Sequence, residues 1–174
     1  MTNVSFGEFL LNFGFASKEE KKNILKNNQD KKVVMDLTCY DPEEFYSEFP
    51  NLIGSIAALF ADENKKTEIH FRERSELVLA KFKELGFTTV ETTIISCGFI
   101  FPRTIVQIIN EAAFALEEEV ASKTDIDRAM KFGVNYPKGP FEWLEGREEY
   151  VRVLLSELLA KTGDQRYRIS KLLK

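Results

Sequence analysis

The spacing of hydrophobic and polar positions changes near residue 100. Before that point, short runs rich in β-branched residues alternate with short helical patterns, which is typical of a small α/β sheet. The pattern predicts about four strands, at residues 32–38, 51–60, 67–71 and 88–95. After that point, apolar residues recur every three or four positions, which predicts helices only. We therefore expect an α/β lobe at residues 1–97 and an all-helical lobe at residues 98–174.

Local signals place helices within the first lobe. Four apolar residues near the N-terminus have helical spacing and predict a first helix: Phe6, Phe9, Leu10 and Phe13. Ser17, with Glu20 three residues later, has the capping-box pattern that starts a second helix. Asp41 followed by Pro42 predicts the start of a third. Residues 74–85 form the clearest helical pattern of this half.

Composition and charge exclude several classes of function. The 174 residues are 44% hydrophobic and 30% charged, which is ordinary for a globular protein. A formal net charge of -4 gives no bulk attraction to nucleic acid or to an anionic membrane. No apolar run approaches the roughly 20 residues of a membrane span. With two cysteines, and acidic Glu8 but no basic stretch at the N-terminus, the chain is expected to be cytoplasmic.

Seven short segments of the helical half resemble, in order and spacing, the C-terminal domain of 3-hydroxyacyl-CoA dehydrogenases. They are 98–103 (GFIFPR), 110–112 (NEA), 120–122 (VAS), 125–127 (DID), 129–131 (AMK) with Gly133, 136–141 (YPKGPF) and 163–168 (GDQRYR). The resemblance implies a small, reduced Rossmann-like sheet followed by a helical domain like the C-terminal domain of 6-phosphogluconate dehydrogenase. It also implies a homodimer formed through the helical domain, to which the apolar stripe from Ile105 to Leu116 would contribute.

The dinucleotide motif of that family is absent from the sequence. Binding of NAD usually needs a Gly-x-Gly-x-x-Gly turn between a strand and a helix. The glycines of the first 60 residues are Gly7, Gly14 and Gly54, which never have that spacing. We therefore expect no cofactor and a nucleotide-binding domain that lacks its first half. Residues 1–30 would then cover the sheet edge left by the missing strands, because such an edge needs protection.

The catalytic residues that the resemblance implies also lack counterparts. The family uses a His oriented by a Glu, together with an Asn at the domain junction. The Asn position matches Pro102, which has neither a side-chain donor nor a backbone N–H. The His is expected on the strand at residues 52–60, which contains none. His70, the only histidine, lies on the next strand, nearer the place of the Glu. We predict no catalytic or metal-binding residues.

Three readings of function remain open on the sequence. The first is a non-catalytic dimerisation or binding protein. The second is a 3-hydroxyacyl-CoA dehydrogenase of fatty-acid metabolism that uses NAD through a rebuilt site or a separate nucleotide-binding subunit. The third is an acyl-CoA carrier, with a ligand cleft between the lobes near Gly98, Arg103 and His70. For His70 we favour a locally hydrogen-bonded strand residue over a relocated base or a metal ligand.

Overall fold

The computed structural model describes residues 2–58, 60–61, 65–93 and 95–174. The chain divides into two compact units, Met1–Pro102 and Arg103–Lys174. The elements of the first unit are β1 (Thr2–Phe6), β2 (Phe9–Phe13), α1 (Lys18–Lys26), β3 (Lys32–Asp36), α2 (Pro42–Glu48), β4 (Leu52–Ile56), β5 (Lys66–Phe71), α3 (Glu76–Glu84) and β6 (Thr88–Glu91). Residues 59 and 94, which fall in two of the predicted strands, lie outside the described residues.

The six strands of the first unit form one sheet in chain order, β1 to β6. β2, β3 and β4 are parallel and are connected through α1 and α2. β1 is antiparallel to β2, β5 is antiparallel to β4, and β6 is parallel to β5. The expected Rossmann-like α/β class is confirmed, with a central parallel βαβαβ segment and one antiparallel step on each side.

The predicted N-terminal helix and the count of about four strands were wrong. The apolar residues of this segment form a hairpin, in which Phe6 pairs with Phe9 across a two-residue turn. Gly7 has a positive φ of 52°, as a turn of this length requires. β2 lies between β1 and β3 in the sheet, and nearly all of its side chains are buried. Residues 2–13 do cover the sheet edge, as expected, but as two further strands.

The start of each predicted helix in the first unit is set by its cap. The Ser17 hydroxyl accepts the Glu20 N–H, and the Glu20 carboxylate accepts the Ser17 N–H, which completes the predicted capping box. Asp41 caps α2, with Pro42 at the first helical position. On one face of the sheet, apolar side chains of β2 to β5 pack against Val78 and Phe82 of α3.

The second unit is helical, as predicted. α4 (Phe101–Glu117) begins at the last two residues of the first unit and is followed by α5 (Lys123–Gly133), α6 (Pro140–Leu144), α7 (Glu148–Thr162) and two short 3-10 turns, Gln165–Tyr167 and Lys171–Leu173. The amide of Asn110 is fully buried on α4. It donates to the Arg168 carbonyl at 2.8 Å and accepts the Ser170 N–H at 3.1 Å, which fixes the C-terminal segment.

None of the helices in the described part of the chain is both long enough and apolar enough to cross a bilayer.

Candidate functional site

An apolar pocket of about 200 Å³ opens in the first unit where the ends of β4, β5 and β6 meet the first turn of α4. It is lined by Ala57, Phe60, Lys66, Thr67, Glu68, Val90, Phe101 and Pro102. Ala57 and Phe60 are buried, while Val90 and Phe101 are 56% and 47% exposed. Large apolar side chains are therefore exposed to water at the rim of the pocket.

Glu68 is the only carboxylate among the described residues that line this pocket, and both of its oxygens already accept hydrogen bonds. They accept the Ile100 N–H at 3.2 Å and the Phe101 N–H at 2.9 Å. The carboxylate therefore caps the N-terminus of α4, where an acidic group is favourable. The hydroxyl of neighbouring Thr67 donates to the Glu68 carbonyl at 3.3 Å.

The pocket brings together the segments from which the resemblance would draw its chemistry. Ala57 and Phe60 follow directly on β4, the strand where the family's His was expected, and Pro102 stands at the expected Asn position. β5 contributes Lys66, Thr67 and Glu68 to the lining, and Glu68 stands two residues before His70. Sequence reasoning missed Glu68, although the alternation of side chains along a strand puts residues 68 and 70 on the same face.

His70, on the same strand as Glu68, has separate hydrogen-bonding partners from other elements. The Tyr46 hydroxyl lies 3.2 Å from His70 Nδ1 and 3.0 Å from Ser55 Oγ. Burial lowers the pKa of His70, which favours the neutral ring. Burial also raises the pKa of Tyr46 to about 12, although the hydrogen bond with Ser55 and the charge of Arg72 oppose the shift. These contacts agree with the interpretation of His70 as a locally hydrogen-bonded strand residue.

The other two residues of the predicted cleft have separate surroundings. Gly98 lies in a turn with a φ of 81°, beside Cys97, whose thiol donates to the Cys39 carbonyl at 3.7 Å. Arg103 belongs to the second unit. There its guanidinium donates to the Tyr167 hydroxyl at 2.8 and 2.5 Å, and it lies 5.3 Å from the centre of the Tyr167 ring. Arg103 thus joins the first and the last of the segments that carry the resemblance.

The helix starts beside the parallel strands do not fit a dinucleotide pyrophosphate. Such a group binds free backbone N–H groups at a helix N-terminus. After β2, the Gly14 N–H is donated to the Asp36 carboxylate, and α1 begins with its own capping box and an acidic first turn. After β3, α2 also has an acidic first turn, capped by Asp41. At both positions carboxylates occupy the place that an anionic phosphate would need.

A buried lysine lies near the C-terminal ends of β2 and β3. Lys21 on α1 is 1% exposed, and its ammonium donates to Asn12 Oδ1 at 2.6 Å and to the Gly14 carbonyl at 2.7 Å. Burial lowers the pKa of Lys21, and the negative charge of Asp36 opposes that shift. Asp36 in turn accepts the Thr38 hydroxyl at 2.5 Å. This polar cluster surrounds a cavity of only about 10 Å³, which has room for one water molecule at most.

The helical unit carries a larger apolar groove of about 480 Å³ between α4 and α5. It is lined by Gln107, Ile108, Glu111, Ala112, Ala115, Ile126, Met130 and Pro140. α5 contributes Ile126 and Met130, yet none of its residues is buried. One apolar side of α5 therefore lacks a covering element within the described chain.

The described residues contain no group of three or more His, Cys, Asp or Glu side chains arranged to hold a metal ion.

Comparison with known proteins identifies the relatives of the chain. Residues 98–174 match the family model described as the 3-hydroxyacyl-CoA dehydrogenase C-terminal domain. The 3-hydroxyadipyl-CoA dehydrogenase of Escherichia coli is 47% identical over 79 residues, which are 44% of this chain and 16% of the relative. The probable 3-hydroxybutyryl-CoA dehydrogenase of Bacillus subtilis is 36% identical over 102 residues, which are 56% of this chain and 34% of the relative. The chain thus spans a third or less of these curated relatives.

Solved structures extend the likeness of fold to the first unit. The (S)-3-hydroxybutyryl-CoA dehydrogenase of Ralstonia eutropha superposes with a TM-score of 0.73 at 22% identity, over 95% of this chain and 63% of that one. The 3-hydroxybutyryl-CoA dehydrogenase of Escherichia coli gives 0.65 at 24% identity, over 98% of this chain and 32% of that one. The resemblance seen in the sequence is confirmed: residues 98–174 match the model of the 3-hydroxyacyl-CoA dehydrogenase C-terminal domain, and the chain shares the fold of these enzymes.

Proposed function

We propose that this chain is a non-catalytic member of the 3-hydroxyacyl-CoA dehydrogenase family that acts as a dimeric binding protein. The observation that carries the proposal is the lining of the Glu68 pocket. Oxidation of a hydroxyl needs a base within hydrogen-bond reach of the substrate. The pocket offers Ala57, Phe60 and Pro102 where such groups are expected, and the Glu68 carboxylate already accepts two backbone N–H groups.

The helix starts beside β2 and β3 support the absence of an NAD-dependent reaction. Pyrophosphate would have to approach two acidic first turns, and the Gly14 N–H would have to leave Asp36. The relatives are named as dehydrogenases of 3-hydroxyacyl-CoA substrates. We propose that this chain retains the fold of these dehydrogenases but does not catalyse their redox reaction.

A direct assay tests this proposal. Purified protein is mixed with NADH and acetoacetyl-CoA, NADH oxidation is followed by absorbance, and melting temperature is measured with each ligand alone. We expect no turnover and no rise in melting temperature with NADH. Binding would be easy to detect, because a ligand in hundredfold excess over its Kd adds about 2.7 kcal/mol of stability. Turnover, or a clear rise with NADH, would contradict the proposal.

The α4–α5 groove supports self-association as the second part of the proposal. The family resemblance implies dimerisation through this domain, and α5 presents Ile126 and Met130 without burying any of its residues. Covering an apolar groove of this size with the same groove of a second copy removes both from water, as a two-fold symmetric interface requires. We therefore propose a second copy of the chain as the occupant.

Two substitutions on α5 test the dimer. Met130→Glu places a charge in the groove and should shift the protein to monomer in sedimentation velocity. Arg128→Glu is the control, because residue 128 is about half a helical turn away and lies outside the groove lining. A monomeric wild type, or equal effects of both variants, would contradict the proposed interface.

The alternative of an enzyme completed by a separate nucleotide-binding subunit is less well supported. Such a subunit would be expected to add parallel strands beside β2. That edge of β2 is already paired with β1 along its whole length, from Thr2↔Phe13 to Phe6↔Phe9. A partner would have to displace β1 or pair with its outer edge.

A further inference from the structure

The Glu68 pocket combines a defined volume with almost entirely apolar walls. An apolar cavity of about 150 Å³ can take up a benzene-sized molecule. At about 200 Å³ the pocket is slightly larger, and its walls include the side chains of Phe60, Val90, Phe101 and Pro102. The size therefore suits a single ring or a branched group of similar volume.

Two polar side chains of the pocket, those of Glu68 and Thr67, already have hydrogen-bond partners within the protein. Glu68 is bonded to two backbone N–H groups of the α4 start, and the Thr67 hydroxyl donates to a carbonyl. A ligand would therefore gain little from new hydrogen bonds and would be held by apolar contact. Covering the exposed parts of Val90 and Phe101 would favour binding, because apolar surface leaves water.

The charges at the pocket do not favour an anion. The ionisable side chains among the described lining residues are those of Lys66 and Glu68, which have opposite signs. Apolar walls cannot replace the water around a carboxylate, and the loss of that water is costly. A neutral ligand should therefore bind better than an anionic one of the same shape.

We propose that the Glu68 pocket binds a small neutral apolar group of about the size of one ring. The group could be a free small molecule or the uncharged end of a larger one. The inference rests on the proposed function, because a pocket without reacting groups acts by binding alone.

Titration with a matched pair of ligands tests the inference. Phenylacetamide and phenylacetate have the same shape and differ in charge, and binding is followed by amide chemical shifts in two-dimensional NMR spectra of the full chain. We expect phenylacetamide to shift the amides of Glu68, Val90 and Phe101, and phenylacetate to bind about tenfold or more weakly because of its desolvation cost. No shift with phenylacetamide, or equal affinity for the two compounds, would overturn the proposal.

Two matched variants locate the site. Val90→Trp adds bulk at the pocket rim and should weaken phenylacetamide binding by about tenfold or more, because the ring then fills the cavity. Leu77→Trp adds a ring at a residue that is 65% exposed and does not line the pocket, and it should leave affinity within about twofold. Unchanged binding to Val90→Trp would overturn the assignment, provided that its amide spectrum shows the native fold.

Binding of CoA compounds distinguishes a free ligand from the end of a larger one, and the turnover assay distinguishes failure of the proposed function from failure of this inference. Phenylacetyl-CoA that shifts the same amides, when free CoA does not, would identify the end of a larger molecule, whereas binding of phenylacetamide alone would identify a free compound. Both results support the pocket assignment. NADH-dependent turnover would refute the proposed function whatever the pocket binds, and failure of the ring compounds to bind would refute only the inference.

Discussion

The Glu68 carboxylate accepts the backbone N–H of Phe101 at 2.9 Å and so ties β5 to the first turn of α4. Pro102, the next residue, has no N–H, so Ile100 and Phe101 provide the donors at this helix start. In this arrangement a residue placed where catalysis was expected serves as a helix cap.

Replacement of Glu68 should therefore reduce stability in a graded way. Glu68→Ala leaves the helix start without its acceptor and should cost about 1–2 kcal/mol in urea unfolding. Glu68→Gln keeps an acceptor oxygen but loses the favourable charge, and it should cost about 0.3–1 kcal/mol. If both variants unfolded at the wild-type urea midpoint, the carboxylate would have no capping role.

Lys21 should make a large contribution to stability. Lys21→Met removes a buried ammonium and leaves Asn12 Oδ1, the Gly14 carbonyl and the charge of Asp36 without it. Removing one partner of a buried charge pair lowers the free energy of unfolding by about 3–5 kcal/mol. Lys22→Met, on the adjacent and more exposed ion pair with Glu48, is the control and should cost about 1 kcal/mol or less. Equal losses would contradict the special role of burial.

Ionisation of Tyr46 should lower the free energy of unfolding at alkaline pH. Its pKa is raised to about 12 in the folded state, so the unfolded chain releases this proton first, near pH 10. Stability should fall as pH rises from about 10 to 12. Tyr46→Phe should remove this part of the decline while costing about 1 kcal/mol at neutral pH through its lost hydrogen bond. Denaturant midpoints measured across this range would decide; identical slopes for both proteins would refute the prediction.

Gly139 should be required by the close approach of Asp127. A Cβ at residue 139 would lie 2.3 Å from the Asp127 carboxyl group, which accepts the Phe141 N–H at 2.8 Å and caps α6. Gly139→Ala should lower stability by about 1–3 kcal/mol. At Gly133 an added Cβ has nothing within 4 Å, so Gly133→Ala should be neutral or stabilising by up to about 1 kcal/mol. Thermal unfolding of the two variants gives the comparison.

Removal of the N-terminal segment should cause aggregation. Deleting residues 1–28 takes away β1, β2 and α1 and exposes the edge of β3, whose side chains are largely buried in the native sheet. Light scattering during expression and refolding would measure this. A deletion variant that stayed soluble and dimeric would show that the segment does not protect the sheet.

The sequence predicted those elements whose signals are local. Ser17 with Glu20 and Asp41 with Pro42 each mark a helix start through neighbouring residues, and each cap is present in the structure. These interactions need no information about distant parts of the chain, which is why the pattern alone was sufficient.

The errors came from residues whose state is set by distant partners. The apolar run at residues 9–13 is compatible with a helix or a buried strand, and its place as an inner strand depends on pairing with β3, more than twenty residues away. The capping role of Glu68 likewise depends on the position of residues 100 and 101, some thirty residues later. No spacing rule along the chain could have identified that contact.

The β1–β2 hairpin also has a consequence for the order of folding. Its two strands are joined by two residues, so it can form within about 1–10 μs, whereas the parallel β2–β3 pair must first close a loop that contains α1. The outer border of the sheet is thus available before its centre is assembled. A nascent chain would present β3 with a finished template, and the slow parallel pairing would proceed with one side already shielded from other chains.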